Sequence, residues 1–369
     1  MIPLHVPPLR LKETIAFPNE NYVAKLKDLF CKTFEKENIV FTSDGRNAIH
    51  LALRIMKLKK GDEILIPAYV CYAVREAIKQ VCKPVYVDID QRTFNIDAEK
   101  AEDKITKNTK AILVAHLYGN PCNMKEIVGI ANDNNLILIE DVAQALNGTY
   151  NNKILGSFGD FAMFSFRFTK DITSFRGGAL LANEKINVDL RTDSSFKAFF
   201  RLIFTLSAMK QIKMMPAMMY APLKKHILFP FFKESATKFD VSEKTLSNYQ
   251  CYLLYQQLKK MDGIIEKRRA NAKYYSKELK DIVLVPEETK FGEHTYYRYT
   301  IQSDKRDELY DYLLKHGIEA DKMYDYHLAA LPNSIVASKN NLNIPVHHEL
   351  TKEDLKKIVG AVHEFKEVG

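Results

Sequence analysis

The sequence has no paired-cysteine motif. Its five cysteines (Cys31, Cys71, Cys82, Cys122 and Cys251) are odd in number and scattered, without CxxC spacing or a Cys/His ligand pattern. This argues against a disulfide framework and a zinc site, and it fits reduced thiols in a cytoplasmic setting. The start, "MIPLHVPPLRLKE", lacks a charged region followed by an apolar one, so no secretory signal is expected. No uninterrupted apolar run reaches the roughly 20 residues that a transmembrane helix needs. Acidic residues are missing from one long stretch. Between Asp193 and Glu234 there are none, against seven Lys or Arg, in a chain whose net charge is +8. The basic excess is therefore concentrated in a single segment. No recognisable nucleic-acid-binding module accompanies it, so nucleic acid is not an expected partner.

What remains is an ordinary globular composition, 46% apolar and 27% charged over 369 residues. That length predicts a large domain with a smaller companion. From about residue 40, short apolar runs alternate with helical patterns. "EILIPAYV", "PVYVDID", "AILVAHLYG" and "LILIED" read as strands, while residues 71–80, "DAEKAEDKI" and "NMKEIVGIANDNN" read as helices. Near-continuous apolar strands separated by helices predict a mostly parallel sheet covered on both faces. "DFAMFSF" and "GALLANE" follow as two strands too close for an intervening helix. "NYQCYLLYQQLKKMDGIIEKRRANAKYYSKEL" then reads as one long helix, "TYYRYTIQ" as a strand, "RDELYDYLLKHG" as a helix ending at Gly317, and "TKEDLKKIVGAVHEF" as a last helix. The predicted architecture is α/β, with a large domain over 1–240 and a small α+β domain over 241–369.

Ligands of open α/β sheets gather beyond the carboxyl ends of the strands. That singles out His116–Gly119, Asp141–Gln144, the turn before Lys170, and "TSDGRNAIHLAL", where Gly45 opens a helix. A helix start and a serine can seat a phosphate. A carboxylate at a strand end can hold a protonated ring nitrogen, and a lysine amine can form an imine. Together these are the requirements of pyridoxal 5'-phosphate. Each residue by itself also has a structural reading: a cap, a turn or a surface charge.

Several stretches, taken in order, resemble the DegT/DnrJ/EryC1/StrS aminotransferases: "TSDGRNAIHLAL", "TKAILVAHLYGNPCNM", "LILIEDVAQA", "GSFGDFAMFSFRFTK", "GGALLAN", "LSNYQCYLLYQQLKKMDGIIEKRR" and "NIPVHHELTKEDL". The resemblance spans nearly the whole chain apart from residues 190–240. It implies a fold-type-I pyridoxal phosphate transferase, active as a homodimer, which moves an amino group from an amino acid such as L-glutamate to a keto-sugar, nucleotide-linked in that family. It implies that Lys170 bonds the cofactor aldehyde and that Asp141 pairs with the pyridine nitrogen. Gln144 falls near the ring hydroxyl, and Ser165, Gly45 and Arg46 fall at the phosphate. Lys170 then acts as nucleophile and as proton-moving base. Dehydratase relatives replace that lysine, so its presence argues against their chemistry.

The chain departs from the family at four points. Arg46 stands where a small residue is common, offering a charged contact. The aromatic that covers the ring falls at Cys71–Tyr72, and Tyr72 is the residue assigned here. "VSEKTLS" lacks the asparagine that reaches across the dimer, and Arg176 stands where an acid is common. His116 reads as a hydrogen-bonded structural residue and His50 as packing or surface. The segment 194–233 has two readings: a helical pair packed on the large domain, or a surface that meets anionic lipid through Lys and Arg with Phe and Met among the tails. The second would suit a lipid-linked or non-sugar acceptor. A non-catalytic scaffold is the remaining alternative.

Overall fold

The computed structural model describes residues 1–192, 194–200 and 241–368. Most of the predicted insertion, from 201 to 233, therefore lies outside the described residues. Six of the apolar runs form β2 (Glu63–Pro67), β3 (Lys83–Val87), β4 (Thr109–Ala115), β5 (Ile137–Asp141), β6 (Phe161–Ser165) and β7 (Gly178–Ala182), and a seventh strand that the sequence pattern does not predict, β1 (Asn38–Thr42), precedes them. They hydrogen-bond in the order β1-β7-β6-β5-β4-β2-β3. β7 pairs antiparallel with both β1 and β6, and the remaining pairs are parallel. Strands β2 and β7 are buried along their whole length, as expected of strands covered on both faces.

The strands are shorter than the apolar runs that predict them. "EILIPAYV" leaves the sheet after Pro67, and "AILVAHLYG" leaves it after Ala115 to enter a 3-10 turn at Leu117–Gly119. The apolar residues that follow are buried all the same, because the chain bends over the carboxyl end of the sheet instead of reaching solvent. Tyr118 in that turn has φ 58°, a left-handed backbone that L residues seldom adopt outside constrained sites.

Two cores flank the sheet. The first includes Phe30, Phe34, Leu65, Ile112 and Phe164. The second includes Ile49, Ile66, Leu113, Ile139 and Leu180. Helix α1 is Leu11–Ile15, and α2 is Tyr22–Phe34 on the first face. The second face carries α3 (Gly45–Ile55) and α4 (Tyr72–Lys79), while α5 (Ala98–Glu102) and α6 (Met124–Asp133) return to the first.

The long helical pattern after residue 247 is two helices, α7 (Asn248–Leu258) and α8 (Met261–Leu279). The break lies at Lys259–Lys260. There the Lys260 N–H donates to the Gln257 carbonyl (2.9 Å) in a tightened turn, and the Lys260 ammonium bonds both oxygens of Glu13 at 2.6 and 2.7 Å. The elbow keeps Leu254, Leu258, Met261 and Ile264 in the first core. It sends Ala272, Tyr275 and Leu279 into a third, built with β8 (Tyr299–Gln302), α9 (Arg306–Lys315), β9 (Asn341–Ile344) and α11 (Lys352–Val368), while α10 (Pro332–Asn340) sends Ala337 into the second. β8 and β9 pair antiparallel, giving the C-terminal part its α+β character. Among the described residues, no helix is long and apolar enough to cross a membrane.

Phe30 is fully buried, with Phe34, Phe164, Phe166 and Phe41 ring centroids 5.3–6.3 Å away. Phe30→Ala is expected to cost about 3–5 kcal/mol, read as a lower urea midpoint of the transition that reports the large sheet.

Candidate active site

The sequence-derived residues meet beyond the carboxyl ends of β4, β5 and β6. Helix α3 starts there because Asp44 caps it, accepting the Asn47 N–H at 3.0 Å, while the Thr42 hydroxyl donates to the Asp44 carbonyl at 2.8 Å. Gly45 is the first residue of the helix and lies against Ser165. A Cβ on Gly45 would stand 3.2 Å from the Ser165 Cβ and from the Met163 terminal methyl. Gly178 is packed harder still, since a Cβ there would lie 2.5 Å from the Asp44 carbonyl carbon. β7 thus presses the helix start onto β6, and Ser165, Gly45 and Arg46 share one corner. The N–H groups of a first helical turn have no partners inside their own helix, so such a corner can receive a phosphate. Arg46 is buried there, with its Nε 3.9 Å from the Asp44 carboxylate.

Asp141 ends β5 and is buried. One of its oxygens accepts the Ala143 N–H at 2.9 Å. Burial pushes its carboxyl above the usual range, and the charge of Lys170 is the first influence that pulls it back, followed by the Ala143 N–H and His116. Lys170 is half-buried at the end of a turn in which its N–H donates to the Arg167 carbonyl (3.0 Å). Its ammonium sits 5.5 Å from the centre of the Tyr297 ring, and the Tyr297 hydroxyl donates to the Thr169 carbonyl at 2.9 Å.

Gln144 uses both ends of its amide. Its oxygen accepts the Tyr118 N–H at 2.9 Å, and its nitrogen donates to the Tyr324 hydroxyl at 2.7 Å. Tyr72 opens α4, half-buried, and its N–H donates to the Tyr326 hydroxyl at 2.9 Å. Burial raises the Tyr72 phenol, while Arg167 and Arg46 pull it back, so both arginines lie within electrostatic reach of it. His116 is bonded at both nitrogens. Nδ1 accepts the Cys122 N–H (3.0 Å), which leaves the proton on Nε2 to donate to buried Glu140 (3.3 Å). It is a structural histidine. His50 lies half-buried on α3, and Arg176 is exposed.

Three aromatic residues at the site have no marker in the local sequence: Tyr297, Tyr324 and Tyr326. They arrive from the C-terminal part, over 150 residues beyond Gln144 in the case of Tyr324 and Tyr326, and only tertiary packing joins them to it. Tyr324 has φ 60°, so its placement is held against a backbone preference.

A mostly parallel sheet carrying, at its carboxyl edge, a lysine turn and a buried strand-end aspartate is the plan of the fold-type-I pyridoxal phosphate transferases. Within that class the chain belongs to the DegT/DnrJ/EryC1/StrS aminotransferase family, whose sequence model matches residues 12–363. It is 30% identical to a GDP-perosamine synthase of Caulobacter vibrioides over 93% of this chain and 90% of that one. It is 29% identical to a protein of Geobacillus stearothermophilus named as a pleiotropic regulatory protein, over 94% and 89%. Among solved structures, Escherichia coli GDP-4-keto-6-deoxy-D-mannose-3-dehydratase with bound hydrated pyridoxal phosphate superposes with a TM-score of 0.75. It is 25% identical, over 98% of this chain and 99% of that one.

A raised carboxyl makes Asp141 a pH-dependent liability in the cofactor-free protein. The folded state holds this proton more tightly than the unfolded chain, so its stabilising share is present below the ordinary aspartate range, near pH ~4, and is lost as the pH rises through the folded-state value. Asp141→Asn should therefore gain on the wild-type apo protein in thermal midpoint as the pH is raised above about 4, and then level off. Differential scanning fluorimetry across that range checks the sign.

Proposed function

We propose that this protein is a pyridoxal 5'-phosphate-dependent aminotransferase that takes the amino group of an amino acid, L-glutamate, and delivers it to a nucleotide-linked keto-sugar in amino-sugar or surface-glycan synthesis. The observation that carries the reading is the convergence of Lys170, buried Asp141 and the Gly45–Ser165 corner at one edge of the sheet. The residues present fit the cofactor. A Cβ on Gly178 would collide with the Asp44 backbone and one on Gly45 would crowd Ser165 and Met163, so the two glycines let the start of α3 lie close to Ser165, and the Asp141 carboxylate, raised by burial, is suited to a cationic neighbour.

When bound, the cofactor supplies a ring that withdraws electrons from a bond at the amino carbon. Asp141 is the group that keeps the ring nitrogen protonated. Gly45, Arg46 and Ser165 hold the phosphate, Arg46 from within the same subunit. Gln144, its amide set by Tyr118 and Tyr324, would be the residue for the ring hydroxyl, and Tyr72 the aromatic for the ring. Lys170 would be the residue that holds the cofactor covalently, and its amine would be the base that moves a proton between two carbons. The nucleotide-linked acceptor is inferred from the GDP-perosamine synthase relative, and the homodimer and the cytoplasmic setting from the family and from the reduced cysteines.

A membrane-facing variant of this reading has its own observation. Phe196 and Phe200 lie in a helical stretch at 195–200, 63% and 54% exposed, at the start of the acid-free basic segment. Contact with anionic lipid through this region would bring the enzyme to a membrane-bound glycan pathway. Vesicles containing phosphatidylserine should then co-sediment the protein, and Phe196→Ser/Phe200→Ser should release it. Equal sedimentation of both would remove the lipid reading.

The function itself is tested by the visible spectrum. The purified protein should be yellow, and borohydride should remove the band. Lys170→Ala should lose at least about 10³-fold in turnover, with no reducible band. L-glutamate should convert the wild-type band to the amine form. A protein that stays colourless with added pyridoxal phosphate contradicts the enzyme reading and would favour a non-catalytic role.

A further inference from the structure

The residue after Lys170 forms a buried ion pair. The Asp171 and Arg268 side chains are almost fully enclosed, and Arg268 Nη1 donates to Asp171 Oδ1 at 2.5 Å. The other Asp171 oxygen is buried with no hydrogen-bond partner. Such a pair is a poor way to gain stability, because desolvating two charges offsets most of their attraction. An unsatisfied oxygen adds a further cost. A cost tolerated beside a functional residue is the pattern expected where position matters more than stability.

The same helices grip the rest of the loop between β6 and β7. Gln257 of α7 is fully buried. Its Nε2 donates to the Thr173 carbonyl (2.7 Å), and its Oε1 accepts the Thr173 N–H (2.9 Å). Gln250, earlier on the same helix, reaches the Ser174 and Arg176 carbonyls at 3.4 and 3.3 Å. Phe175, at φ 68°, packs against Tyr249 and Leu253 of α7. Thr169, on the other side of Lys170, is tied by the Tyr297 hydroxyl. Lys170 is thus the unclamped side chain between two clamped neighbours. Its Cα lies only one peptide from that of Asp171, about 3.8 Å.

We infer that Arg268, acting through Asp171 and together with Gln257, is a positioning residue that fixes where the Lys170 amine stands relative to Asp141. The inference rests on the proposed function for its catalytic consequence, but not for the clamp itself. The α7–α8 elbow is part of the device. Gln257 grips from one side of the bend and Arg268 from the other, and Lys260 anchors the bend to Glu13.

The test replaces the pair by an apolar one, Asp171→Leu/Arg268→Met, alongside Asp171→Asn, Gln257→Leu and the conservative Arg268→Lys. Apolar replacement of a buried pair is generally tolerated by stability. The double variant should therefore melt at or near the wild-type temperature, whereas Asp171→Asn leaves Arg268 buried without its counter-charge and should melt lower; Arg268→Lys, which keeps both charges, serves if the double variant does not fold. In the cofactor-free protein, hydrogen–deuterium exchange over residues 166–177 should speed up by about tenfold in the apolar and Gln257 variants. With cofactor, kcat for the L-glutamate half-reaction should fall by about tenfold or more while the donor KM stays within about twofold, and Arg268→Lys should recover part of it. Wild-type exchange and wild-type kcat in the apolar double variant would overturn the inference. A colourless wild-type protein would sink the proposed function, yet the exchange arm would still decide the clamp.

Discussion

A carboxylate sits at the end of a buried parallel strand, and much of the site is arranged around it. Asp141 is drawn up by burial and answered first by the charge of Lys170. In a medium of low polarity such a group must either take a proton or acquire a cationic neighbour. An aminotransferase of this class uses that requirement. The same burial that disfavours a bare carboxylate would favour a protonated ring nitrogen beside it. The field between Asp141 and Lys170 connects the fold to the chemistry.

The sheet supplies the geometry. β4, β5 and β6 run parallel, so their carboxyl ends open on the same side and deliver His116, Asp141 and Ser165 to one edge. β7 runs against them and returns Gly178 to that edge between β1 and β6. There the lack of a side chain lets the start of α3 close on Ser165. The lysine turn lies in the connection between β6 and β7. A connection that short cannot hold its own shape by packing, so it borrows rigidity from α7, α8 and Tyr297, which lie 70 to 130 residues further along the chain. Rigid placement of a reacting amine contributes to rate through orientation, which explains why so many hydrogen bonds converge on so few residues.

Much of this is legible in the amino-acid sequence. The alternation of apolar runs and helical patterns predicts the parallel sheet, and the strand-end rule selects Asp141, Gln144, Gly45 and the turn at Lys170 without reference to contacts. The apolar pattern overruns the strand ends at Pro67 and Ala115, because an apolar residue bent over a sheet edge is as buried as one inside a strand. The helix from residue 248 reads as continuous because its period carries through Lys259–Lys260. At the break, Lys260 bonds Glu13, nearly 250 residues away, a contact that no local pattern announces. The tyrosines at 297, 324 and 326 and the clamp residues Gln257 and Arg268 carry no local signal. Each looks like an ordinary strand, loop or helix residue until packing brings it to Thr169, Gln144, Tyr72, Thr173 or Asp171. Local patterning records which segments are buried and where they end, and it does not record which distant segment meets them.

Reduction of the cofactor-loaded protein with borohydride, followed by peptide mass mapping, tests the central claim most directly. The account predicts the reduced pyridoxyl mass on the peptide containing Lys170 and on no other. Attachment at a different lysine, such as buried Lys36 beside Glu140 and Asp160, or no covalent label on any peptide, would contradict it.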